Sequence, residues 1–102
     1  MTNALLKGLA PTHPGEILRE DILPALALPK AQVADALRIS RSYLYRILDE
    51  EAGITPAIAL RLAKAFRTSP EFWLNLQQAY DLATAVEKDA AEIAEVRELV
   101  TA

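Results

Sequence analysis

The sequence predicts an all-α fold, a single small bundle of helices that includes a helix-turn-helix. Apolar residues recur at intervals of three and four through most of the chain. Three of the six prolines, Pro14, Pro56 and Pro70, directly follow a residue that can cap a helix. At 102 residues, the chain is long enough for one hydrophobic core and too short for two.

The N-terminal third is predicted to hold an arm and one helix. Residues 1–12 contain leucines but neither a sustained helical period nor a cap, so we expect a flexible or partner-ordered arm. The first helix then starts after a capping residue, Thr12 or His13, with a proline in its first turn. We expect Pro24 to end this helix, because its ring clashes with the preceding turn. The apolar residues 25–28 are expected to form a buried connection to the next helix.

Residues 28–48 are typical of two short helices joined by a tight turn. One face of the first helix carries Val33, Ala34 and Leu37 at helical spacing. Ser40 is well suited to cap the second helix, because its hydroxyl can accept a hydrogen bond from an amide of the first turn. The inward face of that second helix carries Leu44, Ile47 and Leu48.

The outward face of the second helix carries Arg41, Ser42, Tyr45 and Arg46. Residues 28–48 contain four basic side chains and one acidic one, although the whole chain has a net charge of -3. A local positive surplus of this kind suits a phosphate backbone. The pattern favours a helix-turn-helix whose second helix enters the DNA major groove. It also fits an αα-hairpin of a small bundle that binds no DNA.

Two further helices and a tail complete the predicted fold. Thr55 and Ser69 are the expected caps, and the apolar stripes that follow them are Ile58, Ala59, Leu62, Ala63 and Phe66 in one helix and Phe72, Trp73, Leu76, Tyr80 and Ala83 in the next. From residue 81 onward the chain has six acidic and two basic side chains. This tail is either a helical contact for a partner chain, a solvated helix face or a frayed end.

The composition bears on location and chemistry. The chain has no cysteine, which excludes disulfides and thiolate sites and fits the cytoplasm. It has neither a secretory leader pattern nor an apolar run long enough to span a membrane. His13, the single histidine, has no evident catalytic companion, and neighbouring acids such as Glu20 and Asp21 point apart. We therefore expect no enzymatic activity, no cofactor and no bound metal.

Three segments carry a resemblance to a known family. Residues 13–18 (HPGEIL), 54–63 (ITPAIALRLA) and 69–77 (SPEFWLNLQ) resemble, in this order and spacing, the motifs of the HigA-type antitoxins. These antitoxins are a branch of the phage-repressor-like helix-turn-helix family. The resemblance extends over about residues 13–83, and its motifs are more specific than a helix-turn-helix alone.

The resemblance implies a lambda-repressor-like bundle of about five helices that represses its own promoter as a homodimer on a palindromic operator. It also implies a partner, a HigB-type toxin, which is a small RelE-like ribonuclease that the antitoxin holds inactive. The implied organisation is an arm over residues 1–12, a DNA-binding domain over residues 13–83 and an acidic helical tail over residues 84–102, which is a candidate dimer or partner contact.

Transferred to this sequence, the family pattern implies a set of DNA-binding residues. Arg41, Ser42 and Arg46 take the base-reading positions, and an arginine can hold guanine O6 and N7 with two hydrogen bonds. Tyr43 is placed to reach a phosphate or a thymine methyl group. Lys30 is expected over a phosphate. The weaker candidates are Tyr45 and Gln32, and Arg38 at the turn is a further candidate for a phosphate contact.

Two departures from the family pattern leave alternatives open. Arg38 occupies a turn position that usually holds glycine in a left-handed conformation, at a cost of about 1 kcal/mol. The acidic residues 49–51 follow the recognition helix and would repel DNA if they faced it. A solitary repressor without a toxin is the nearest alternative function, and an interaction module without DNA binding is the next.

Overall fold

The computed structural model describes residues 11–100, and this part of the chain contains helices and no strand. The first helix, α1 (residues 14–26), consists of three consecutive stretches, Pro14–Ile17, a π-helical turn Leu18–Ile22, and Leu23–Leu26. The other helices are α2 (Lys30–Leu37), α3 (Arg41–Leu48), α4 (Pro56–Phe66), α5 (Pro70–Lys88) and α6 (Ala90–Ala94). The predicted all-α fold with a helix-turn-helix, formed by α2 and α3, is confirmed.

The prediction that Pro24 ends the first helix is wrong. The helix passes through Pro24 and continues to Leu26, because the preceding turn is π-helical and the N–H of Leu23 donates to the carbonyl of Leu18, five residues earlier. A widened turn of this kind accommodates a proline that lacks an amide hydrogen and whose ring needs room.

The expectation that residues 25–28 form a buried connection is also wrong. All four are exposed, and Leu26 and Leu28 keep 40% and 49% of their side chains accessible. The chain turns instead at Ala27, which has a left-handed φ of 54°. The apolar character of residues 25–28 suggested burial, but these residues contain no local signal for the left-handed turn at Ala27.

Side-chain caps begin four of the helices at the predicted places. His13 Nδ1 accepts from the N–H of Gly15 at 2.9 Å, so His13 rather than Thr12 is the cap of α1. Ser40 Oγ accepts from Tyr43 N at 3.0 Å. The caps of α4 and α5 are Thr55 and Ser69, which accept from the amides of Ile58 and Phe72. These contacts satisfy amides that a helix leaves unpaired at its start.

The core lies where helices α1 to α5 meet. Trp73 of α5 is completely buried, and its indole N–H donates to Thr68 Oγ1 at 2.7 Å. The predicted inward residues of the two helices of the helix-turn-helix and of α4 are buried around it, except Phe66, which is partly buried. Phe72, in contrast, is 42% exposed, because it lies beside Trp73 on the flank of α5.

The C-terminal part extends away from this core. Helix α5 runs across residue 83 to Lys88, so the predicted acidic tail begins within it, and α6 follows a break at Asp89. Exposed apolar side chains accumulate here: Leu82, Val86, Ile93, Val96, Leu99 and Val100. The arm predicted over residues 1–12 lies outside the described residues except for its last two. Within residues 11–100, no helix has the length and apolar character that a membrane crossing needs.

Candidate nucleic-acid interface

Helix α3 divides sharply into a buried face and an exposed face. Leu44, Ile47 and Leu48 are almost fully buried. The opposite face presents four exposed side chains, Arg41, Ser42, Tyr45 and Arg46. These four residues form an exposed strip that begins at Arg41 and ends at Arg46. The strip therefore has the positive charge and the hydrogen-bond donors that binding in a DNA groove requires.

Tyr43 differs from the other candidates on α3. It is half-buried and packs against the core, while its amide donates to the capping Ser40. Its ring lies on the flank of the helix rather than at the centre of the exposed face. From that flank it also lines a groove beside Arg46.

The first turn of α2 lies next to this strip. The Lys30 ammonium is 5.9 Å from the centre of the Tyr45 ring, a distance at which a cation and an aromatic face attract each other. Gln32 is also exposed. The structure therefore brings Lys30 and Tyr45, predicted separately, into one contact.

Arg38 forms the turn of the helix-turn-helix with φ 61° and ψ 42°, the left-handed conformation expected from the family pattern. Its N–H donates to Asp35 O at 3.0 Å, and that of Ile39 donates to Ala34 O at 3.1 Å. From α4, Arg61 Nη1 donates to the Arg38 carbonyl at 3.2 Å. Sequence patterns did not single out Arg61, although its exposed place between buried residues of α4 was a signal.

The end of α3 is held by Arg19 of α1. Its Nη1 donates to Leu48 O at 2.6 Å and lies 3.2 Å from Glu50 Oε2, and its Nε is paired with Glu20 at 2.8 Å. These carboxylates raise the pKa of Arg19, and the hydrogen bond that Arg19 donates to Glu20 contributes most. Of the three acidic residues after α3, Glu50 is thus paired with Arg19 and half-buried, whereas residues 49 and 51 are exposed.

A groove of about 700 Å³ runs along the flank of α3 towards α5, and His13 lines it. His13 is 3% exposed, and its ring packs nearly perpendicular to that of Tyr80, edge to face, with the ring centres 4.8 Å apart. Burial lowers the pKa of His13, although the carboxylates of Glu50 and Asp81 act in the opposite direction. Its capping contact and its burial agree with the structural role expected from the sequence.

Comparisons with known proteins match the part of the chain that contains the helix-turn-helix. A family model described as helix-turn-helix matches residues 18–73. Virulence-associated protein I of Dichelobacter nodosus is 46% identical over 81 residues, which cover 79% of this chain and 74% of that protein.

Two solved structures are similar over nearly their whole length. The Pseudomonas aeruginosa antitoxin HigA with the higBA promoter has a TM-score of 0.81 and 41% identity, covering 88% of this chain and 99% of its own. The antitoxin GraA in complex with its operator has a TM-score of 0.82 and 40% identity, covering 99% of both chains.

Proposed function

Because this chain belongs to the helix-turn-helix family, and within it to the HigA-type antitoxins, we propose that it represses its own promoter as a dimer and neutralises a HigB-type ribonuclease by protein contact. The family comprises transcription regulators and antitoxins and is not a family of enzymes. Each part of the proposal has its own support among the described residues.

DNA binding rests on one observation, the exposed strip of α3 that carries Arg41 and Arg46 with no carboxylate bound to either among residues 11–100. Two structures similar to this chain are complexes with a promoter and an operator. We assign base contacts to Arg41, Ser42 and Arg46, because a guanidinium can donate two hydrogen bonds to guanine.

Positioning contacts surround the base-reading strip in this proposal. Lys30 contacts a phosphate from the first turn of α2, assisted by Gln32, and Arg38 adds a charge at the turn. Tyr45 supports Lys30 through the cation–aromatic contact, and Tyr43 reaches a phosphate or a thymine methyl group. The phosphate contacts among these set the register on DNA without reading the sequence.

Dimerisation is supported by the exposed apolar side chains of α5 and α6. Leu82 and Val86 lie one turn apart on α5 and are 63% and 55% exposed, which is costly unless a partner covers them. A second copy placed here would allow two α3 helices to enter major grooves about 34 to 36 Å apart, as a palindromic operator requires. Removing the chain after Leu82 should then weaken operator binding.

Toxin neutralisation is supported by charge. The six acidic side chains from residue 81 onward outnumber two basic ones, and all six except Asp81 come after the residues that line the groove beside Arg46. An acidic surface attracts a basic ribonuclease and leaves the DNA-binding face accessible.

The experiment for DNA binding is a fluorescence-anisotropy titration of the chain's own upstream DNA. We expect the Arg41→Ala, Arg46→Ala double variant to lose the preference for operator over unrelated DNA, since each bidentate base contact contributes about 1 to 3 kcal/mol of discrimination. The control is Lys64→Ala, Arg67→Ala, which removes the same charge from the end of α4. Equal losses in both double variants would contradict base reading by α3.

A second experiment separates the antitoxin from a solitary repressor. The chain is co-expressed with the product of any short, toxin-like reading frame found next to its gene, and both growth and co-purification are measured. We expect the chain to restore growth and to co-purify with that protein. A repressor without a toxin would do neither while still binding its operator.

A further inference from the structure

We propose that Arg61 of α4, together with Arg38, forms a binding site for one backbone phosphate of DNA. The site extends beyond the helix-turn-helix, since Arg38 belongs to its turn but Arg61 belongs to the following helix. The proposal rests on the proposed function, because the phosphate belongs to DNA engaged by α3.

Geometry places the two arginines at the start of the recognition helix. Arg61 Nη1 is 3.2 Å from the carbonyl oxygen of Arg38, across 23 residues of sequence. Arg38 is two residues before the capping Ser40 and three before Arg41, and both arginine side chains are exposed. The Arg61 guanidinium therefore lies against the backbone of the turn that precedes the recognition helix, and the residue at that turn is itself an exposed arginine.

The chemistry of the pair suits a phosphate. A guanidinium has five N–H donors, and the bond to the Arg38 carbonyl occupies only part of the Arg61 set. That bond also restricts the long Arg61 side chain before DNA arrives, which reduces the entropy lost on binding. Phosphate oxygens accept paired hydrogen bonds from such a planar fork.

Ion pairing distinguishes these two arginines from Arg19, which also contacts a residue distant in the sequence. Arg19 already has two carboxylates, Glu20 and Glu50, within 2.8 Å and 3.2 Å. Within residues 11–100, neither Arg38 nor Arg61 forms an ion pair. Both arginines at the turn therefore keep a charge that no carboxylate of the described residues neutralises, whereas the charge of Arg19 is already neutralised.

The test is the salt dependence of DNA binding. Anisotropy titrations on operator and on an unrelated duplex of equal length are repeated between about 50 and 200 mM salt. For Arg61→Ala, we expect the slope of log K against log salt to become shallower by about 0.9 for each lost phosphate contact, hence about 1.8 for a dimer. The preference for operator should remain, because phosphate contacts carry no sequence information.

Three variants serve as controls. Lys64→Ala removes one charge one turn further along α4 and should keep the wild-type slope. Arg61→Lys keeps the charge and should also stay close to it. Arg61→Gln keeps a donor for the Arg38 carbonyl and should lose the same slope as Arg61→Ala, which separates phosphate binding from support of the turn. Thermal unfolding identifies any variant that fails to fold.

The salt titrations test the phosphate site and the operator function separately. A wild-type slope in Arg61→Gln, or an equal loss in Lys64→Ala, overturns the phosphate site and leaves the proposed function standing. Wild-type protein that binds both duplexes equally overturns the operator function, while the slope on the unrelated duplex still decides the phosphate site. Absence of binding to either duplex overturns both proposals.

Discussion

Gln77 of α5 accepts a hydrogen bond from the backbone amide of Ile54, at 2.7 Å from its Oε1, and both residues are buried. The other end of the same side chain donates from Nε2 to Asp81 Oδ1 at 2.9 Å. One side chain thus links the loop that follows α3 to the longest helix of the protein. The orientation of the recognition helix depends on this link as well as on the apolar core.

Replacing Gln77 by leucine should destabilise the fold by about 1 to 3 kcal/mol, because the Ile54 amide would remain buried without an acceptor. The measurement is urea denaturation at a fixed protein concentration. Gln78→Leu is the matched control, since Gln78 is the exposed neighbour on the same helix, and we expect it to change stability by less than about 0.5 kcal/mol. Similar losses in both variants would show that the hydrogen bond has no special role.

Gly15 lies where α1 passes closest to α3. A methyl group at this position would collide with the carbonyl oxygen of Ile47, a backbone atom that cannot move aside cheaply. We therefore expect Gly15→Ala to cost about 3 kcal/mol, the upper part of the range for overpacking.

Gly53→Ala provides the comparison for this prediction. Its added methyl group would meet the side chain of Gln77 at 3.1 Å, and a side chain yields more easily than a helix backbone. Thermal unfolding of both variants should show the larger loss for Gly15→Ala. The reverse order would mean that the helices separate more readily than the Gln77 contact.

Local signals in the sequence predicted much of this structure. The caps at His13, Ser40, Thr55 and Ser69 each depend on a residue and an amide two or three positions away, so neighbouring residues suffice to predict them. The same holds for the buried faces of the helices, which follow from spacing. The left-handed turn at Arg38 was expected from the family pattern, because the sequence itself has no glycine there.

Contacts between distant residues were not predictable in this way. Arg19 meets Glu50 across 31 residues and Arg61 meets Arg38 across 23, and no local pattern connects these pairs. The continuation of α1 past Pro24 was not predicted for a different reason. It depends on the π-helical turn before the proline, which the local sequence does not indicate. Acidic residues 49–51 were expected to repel DNA if they faced it, and no local pattern indicated that one of the three carboxylates, that of Glu50, pairs with Arg19.

His13 should make the stability of the fold depend on pH. Its neutral ring accepts the Gly15 amide at Nδ1, and burial lowers its pKa in the folded state below the ordinary 6.5. The unfolded chain then binds the proton more readily, so the contribution is fully present above about pH 6.5 and is lost as the pH falls through the lowered pKa. Glu50 and Asp81 oppose this effect, and Arg19 adds to it.

The variant for this prediction is His13→Asn, which keeps a capping oxygen but does not titrate. Urea denaturation between about pH 8 and pH 5 should show a steeper loss of stability for wild type than for the variant. Since the chain has one histidine, no other side chain ordinarily titrates in the centre of this range. Parallel curves for the two proteins would mean that protonation of His13 leaves the fold unchanged.

Arg38 and Arg67 offer a matched pair for separating stability from DNA binding. Both are exposed arginines in the left-handed conformation at the end of a helix, with φ 61° and 56°. Glycine adopts this conformation without the Cβ clash, so we expect either substitution, Arg38→Gly or Arg67→Gly, to stabilise the fold by about 1 kcal/mol. Only Arg38→Gly should also weaken DNA binding, because Arg38 lies beside the recognition helix. Urea denaturation and anisotropy at one salt concentration measure the two effects, and a gain in stability without loss of affinity at Arg38 would exclude it as a phosphate contact.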